Sequence, residues 1–316
     1  MQTNLNQLMN RKVSYFLLIV ALSVCAGSAV SVVNAAENNA RLFSQMLPYA
    51  ALSNAIYEDQ QALDRVAVTN GFKLESFENI PGIEITYAIL SHAGLDATTS
   101  RQKIVVIRGT ANAENALVDM DFKLVPDSLS GVGIHQGFKQ ASIPIYNQIK
   151  NKLNKSEKII TTGHSLGGAA ALVVAMQLQE QGFNVASVIT FGQPKVTNLT
   201  GSLKFSGLNV IRVVTPNDLV PILPPLDPVD IKNVEVYWHS GTEIILMGDK
   251  KYAILKGVRS MLRGGEFLTY VPDKKNVEAH FMKNYLAEIK SKSLDAIEIG
   301  YKLPFNIGNL FKFGGE

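Results

Sequence analysis

An α/β protein with a mostly parallel sheet and helices on both faces is what this 316-residue sequence predicts, on three observations. Strand-like and helix-like segments alternate along the chain, which is the signature of βαβ units. Two strand-like runs, KIVVIRG (103–109) and KIITTG (158–163), are apolar or β-branched over nearly their whole length, as strands covered on both faces are. Directly after the second run stands Gly163-His164-Ser165-Leu166-Gly167, a G-x-S-x-G on a strand-to-helix turn.

Taken in order, ARLFSQMLPYAALSNAIY (40–57) has apolar residues at helical spacing and opens the domain as a helix. GIEITYAILSHA (82–93) and the run at 103–109 are rich in β-branched residues between turn signals and read as strands. The segment 135–153 reads as a helix disturbed by Pro144, 158–163 as a buried strand, and 165–182 as a small-residue helix ending at Gly182. Strands follow at 185–192 and 209–218, the run 234–248 around His239 has the look of a hairpin, and HFMKNYLAEI makes a closing helix that begins at His280. In such sheets the site lies at the carboxyl ends of the strands.

With 47% hydrophobic residues the chain fills a sizeable core, and a formal net charge of +3 without a basic stripe argues against nucleic acid as a partner. The N-terminus stands apart. Arg11 and Lys12 precede an uncharged apolar run, and Val33-Asn34-Ala35 supplies small residues before Ala36, so residues 1–35 read as a secretory signal. The alternative is an uncleaved membrane anchor, since a run of roughly 20 apolar residues also spans a bilayer; a lipid attached at Cys25 is a weaker third reading because Val24 precedes it poorly. Cys25 is the only cysteine, which leaves the mature chain without disulfide or thiol chemistry. No linker or repeat divides residues 36–316, which read as one exported domain.

Ser165 has two readings, N-cap of a buried helix and nucleophile. A serine nucleophile needs an imidazole to take its proton and a carboxylate behind that imidazole. His92 and His135 precede Ser165, against the Ser…Asp…His order of this strand–turn–helix class, and His164 lies inside the motif. His239 and His280 remain, with the latter preferred. Asp218, just beyond the end of a strand in VVTPNDLVPILPP, is either the acid or an ordinary turn aspartate. The Leu166 amide and the loop at Thr110 are placed to bind an oxyanion.

At this point the residues resemble the class 3, or fungal-type, triacylglycerol lipases of the α/β-hydrolase superfamily. The likeness runs from about residue 45 to 290 through ordered motifs: IVVIRGT, IHQGF, TTGHSLGGAAA, TFGQPKV, VTPNDLVPILPP, YWHSGTEI and HFMKNYL. It implies an α/β-hydrolase fold with a short lid at 111–125, Ser165 as nucleophile, Asp218 as acid and His280 as base. It implies an oxyanion hole from the Thr110 amide and hydroxyl and the Leu166 amide, with Asp119 orienting that hydroxyl. His239 and His135 match family histidines outside the triad. Ala116 stands where fungal lids carry tryptophan, and Glu114, Asp119 and Asp121 make the segment acidic, which argues against strong interfacial activation.

The expectation is therefore a secreted serine ester hydrolase that needs no cofactor or metal. Its partner is a lipid ester at a membrane or lipid-droplet surface, with Leu223 and Leu226 suspected in the acyl pocket. A phospholipase A1 activity and a catalytically silent binding module are the alternatives. The tail 301–316 lies outside the resemblance.

Overall fold

The runs that are apolar on both faces occupy the middle of a nine-stranded sheet. The computed structural model describes residues 35–82, 85–93, 102–110, 122–225, 236–264 and 274–303. In chain order its elements are α1 (Ala35–Ala55), α2 (Gln60–Thr69), β1 (Phe72–Ile80), β2 (Ile85–His92), β3 (Gln102–Ile107), β4 (Leu124–Asp127), β5 (Val132–His135), α3 (Gln136–Ile149), β6 (Lys158–His164), α4 (Leu166–Glu180) and β7 (Val185–Phe191). There follow β8 (Thr197–Asn198), α5 (Leu199–Lys204), β9 (Val210–Val214), a 3-10 turn (Val220–Ile222), β10 (Tyr237–Trp238), β11 (Thr242–Leu246), β12 (Lys251–Lys256), α6 (Val258–Arg263), α7 (Lys274–His280), α8 (Met282–Lys292) and β13 (Ile297–Glu298).

The large sheet runs β1-β2-β3-β6-β7-β9-β11-β12-β13. Its centre, β3, β6, β7, β9 and β11, is parallel, and antiparallel strands flank it on either side. Helices α1 and α8 cover one face, where Phe43, Met46 and Ala50 meet Phe191, Val213, Tyr285 and Ile289. Helices α3 and α4 cover the other. Twelve residues of α4 are buried, so it is apolar around its whole circumference, as a helix enclosed between a sheet and another helix must be. This is the α/β-hydrolase fold.

Several expectations meet corrections. The strand β1 was not anticipated; in FKLESFENI only the end residues Phe72 and Ile80 are buried, and the exposed and half-buried positions between them at the sheet edge carry charges that interrupt its apolar signal. The run 234–248 is no hairpin. Tyr237 and Trp238 pair with β8 in a second sheet ordered β10-β8-β5-β4, whereas Thr242–Leu246 join β9 and β12. The chain crosses between the sheets at Gly241 (φ 72°), where a Cβ would come within 2.2 Å of the Val210 carbonyl oxygen. Alternating residues on both sides of a glycine suit a hairpin and a crossing equally, which is why the pattern misled. Of the expected lid, residues 111–121 lie outside the described residues, and 124–125 belong to β4.

His280 also departs from expectation. It is the last residue of α7; Phe281 is extended (φ −64°, ψ 130°), and α8 starts at Met282. Helical spacing continues across the break with no proline or glycine to mark it, so the sequence hides it. The expected leader at 1–35 lies outside the described residues except for Ala35, where α1 begins, and 304–316 lie outside them as well. Among the described residues no helix is long and apolar enough to cross a membrane.

Candidate active site

The site grows from the turn between β6 and α4. Ser165 has φ 58° and ψ −130°, a region L residues rarely adopt and that costs about 1–3 kcal/mol. Close packing makes the turn possible. A Cβ at Gly163 would lie 2.6 Å from the Gly167 carbonyl, and one at Gly167 would lie 2.3 Å from the Ile107 oxygen. The Ser165 amide donates to the Phe191 carbonyl at 2.9 Å, which ties the turn to β7. Ser165 holds the N-cap position of α4, yet its side chain makes no capping bond. Its Oγ lies instead 2.8 Å from His280 Nε2.

The far side of that imidazole faces Asp218, with His280 Nδ1 and Asp218 Oδ2 2.8 Å apart. A buried carboxylate accepts, so Nδ1 carries the hydrogen and Nε2 presents its lone pair to the serine hydroxyl. Asp218 is fully buried and its acceptors are filled: Oδ2 also takes the Tyr285 hydroxyl at 2.5 Å, and Oδ1 caps the Val220 amide at 2.9 Å. Gly192 (φ 58°) backs the pair, since a Cβ there would lie 3.0 Å from Asp218 Oδ2 and 3.1 Å from the His280 ring. Three residues separated by 115 and 62 positions are thus drawn into one line by the ends of β6, β9 and α7.

The other expected residues fall as follows. Leu166 is the first residue of α4, so its amide is among the helix-start donors without an intrahelical acceptor. Thr110 stands three residues beyond β3, its Oγ1 buried and without a hydrogen-bond partner among the described residues. Asp119, Glu114, Ala116, Asp121 and Leu226 lie outside the described residues. Leu223 is buried. His135 caps α3 through its Nδ1 and stacks on Phe138, remote in role from the line of three.

Sequence reasoning missed several buried polar groups around this line. Tyr285 was not singled out, although its place five residues after His280 was the one available sign. Tyr57 Oη lies 2.8 Å from His164 Nδ1, and His164 Nε2 lies 2.7 Å from the His280 carbonyl. Burial and then the neighbouring His280 hold the His164 imidazole well below its usual pKa, so it is neutral. Burial, reinforced by Asp218, pushes the Tyr285 phenol well above its usual range. Behind the acid loop Lys195 is 1% exposed and donates to the Ile222 and Pro224 carbonyls at 2.8 and 2.6 Å. Burial first, then Arg263 and Arg212, bring the Lys195 ammonium down to about 7. Glu243, bonded to Arg263 and Ser260, holds these cations together.

Residues 104–227 match the sequence model of the class 3 lipase family, a span that contains Thr110, Ser165 and Asp218 and stops short of His280. A secreted mono- and diacylglycerol lipase of Fusarium solani is 33% identical over 168 residues, 49% of this chain and 48% of the relative. The chain thus spans about half the length of that relative. A secreted mono- and diacylglycerol lipase of Penicillium cyclopium is 25% identical over 261 residues, 75% of this chain and 82% of the relative. Among solved structures, the Lip2 lipase of Yarrowia lipolytica matches with a TM-score of 0.59 at 23% identity, over 76% of this chain and 93% of that one.

Proposed function

We propose that the chain is a lipase of the class 3 kind, an exported carboxylic-ester hydrolase that cleaves acylglycerols through an acyl-enzyme on Ser165. The observation that carries this reading is the unbroken line from the Ser165 hydroxyl through His280 to Asp218, two contacts of 2.8 Å, with the serine side chain not spent on capping its helix.

In this reading Ser165 Oγ attacks the ester carbonyl carbon while its proton passes to His280 Nε2. The imidazolium is held by Asp218 at Nδ1, and Asp218 is kept in place by Tyr285 and the Val220 amide. The negative oxygen of the tetrahedral intermediate is met by the amides of Leu166 and Thr110, donors together worth several kcal/mol. As the carbonyl reforms, the C–O bond to the alcohol breaks and the alcohol leaves with the proton from His280. Water then attacks the acyl-enzyme with His280 as base. The Ser165 ester bond breaks, Ser165 regains a proton, and the fatty acid departs. We assign Asp119 to orienting the Thr110 hydroxyl and the segment 111–123, ahead of β4, to the lid. Acylglycerol substrates and export are supported by the secreted mono- and diacylglycerol lipases among the relatives. We assign residues 1–35 to an export signal removed before Ala36.

A panel of triolein, diolein, monoolein and phosphatidylcholine, read by released oleate with the Ser165→Ala variant as blank, tests the substrate. Release from the glycerides well above phosphatidylcholine is expected. Preferential release from phosphatidylcholine makes the enzyme a phospholipase, and no release above the blank from any of them overturns the proposal.

A further inference from the structure

Tyr57 and His164 take no part in the proton transfers just described, yet they sit at their centre. We infer that they form a positioning pair that locks the base-bearing helix α7 to the nucleophile turn and to the loop before Thr110. The inference rests on His280 being the base.

The last carbonyls of a helix lack intrahelical acceptor bonds, and the His280 carbonyl is one of them because Phe281 leaves the helix. His164 Nε2 meets that carbonyl at 2.7 Å. A carbonyl only accepts, so Nε2 carries the hydrogen. The ring being neutral, Nδ1 is bare and accepts the Tyr57 hydroxyl hydrogen at 2.8 Å. The two imidazoles lie 4.6 Å apart, centroid to centroid, tilted by 36°.

Tyr57 closes the connection on its other side. It stands two residues beyond α1, and its Oη fills the space over Gly109, where a Cβ would approach to 2.5 Å. The Gly109 backbone thus packs directly against the phenol oxygen. One connected path therefore leads from the residue before Thr110, through Tyr57 and His164, to the backbone of the base. Asn276 adds a second tie for α7, donating to the Asn217 carbonyl at 2.7 Å beside Asp218. Neither Tyr57 nor His164 hydrogen-bonds the Ser165 hydroxyl or a ring nitrogen of His280; they set where His280 and the oxyanion loop stand. A helix held at its end by a side chain one residue from the nucleophile keeps nucleophile and base in register, and small misplacements of such groups are costly in rate.

The test is kinetic, with rates per active site counted by phosphonate titration so that misfolded protein does not enter. Tyr57→Phe removes one oxygen and is expected to lower kcat about 10-fold, the scale of one neutral hydrogen bond, with KM within about twofold of the parent. His164→Gln, which keeps an amide donor, should retain more kcat than His164→Leu. Combining Tyr57→Phe with His164→Leu should lose little beyond His164→Leu alone, since the two act as one unit. A Tyr57→Phe enzyme within about twofold of the parent in kcat, or losses that multiply in the double variant, would overturn the pairing. The Ser165→Ala variant separates the layers: if it is inactive while Tyr57→Phe runs at full rate, only the pairing fails, and if it stays active the triad itself is wrong.

Discussion

His280, His164 and His239 are equally buried, at 3%, 4% and 3% exposure, but they occupy two different kinds of surroundings. Around Ser165 every ring nitrogen of His280 and His164 has a partner within 2.8 Å, and those partners are a hydroxyl, a carboxylate, a phenol and a carbonyl. Around His239 neither ring nitrogen has a side-chain partner among the described residues. The Pro221 carbonyl supports it only weakly, and burial with Arg212, Lys195 and Arg263 keeps the ring neutral. Burial alone therefore does not make a histidine a base. An imidazole works when one nitrogen is held by a carboxylate and the other is aimed at the hydroxyl of a nucleophile, and of these three only His280 meets both conditions.

The widest gap between the two regions should open on removal of the imidazole. His280→Ala is expected to cost about 10⁴-fold or more in kcat with the fold intact by circular dichroism, because a triad without its base retains only oxyanion and binding effects. Asp218→Asn should follow at about 10³- to 10⁴-fold, since an amide no longer fixes the tautomer that presents Nε2 to Ser165. On the cationic side the effect is on stability. Lys195 has its folded pKa lowered to about 7 from 10.5, so the unfolded chain binds more protons between those values and stability rises with pH across that window. Urea unfolding at pH 7.5 and 9.5 should show a slope steeper by up to about 1.4 kcal/mol per pH unit than in Lys195→Met. Smallest of all, His239→Gln should leave kcat within about twofold and move stability by about 1 kcal/mol or less, since no side-chain bond is lost. A His239 variant as crippled as His280→Ala would erase the distinction.

How far the sequence reaches follows the same physics. The strands β3 and β6 are legible because both faces are covered and every position is apolar or β-branched. The edge strand β1 is not, because only its two end residues are buried. Ser165 is legible because a glycine-flanked turn between strand and helix is a local feature, and Asp218 because it stands at a strand end before an apolar turn. Tyr57 and Tyr285 carry no such mark: a tyrosine in the turn after one helix and another inside a second become neighbours of the site only once the sheet has brought α1 and α8 onto the same face. The break after His280 is likewise tertiary, since what ends α7 is the set of bonds His280 makes on three sides.

The most direct test of the account is covalent. A p-nitrophenyl alkylphosphonate should release one equivalent of nitrophenol, leave its phosphonyl group on Ser165 in the peptide mass spectrum, and abolish ester hydrolysis in step with labelling. Folded Ser165→Ala should take up no label and hydrolyse nothing above buffer. Undiminished hydrolysis by that folded variant would contradict the assignment of Ser165 as the residue that carries the acyl group.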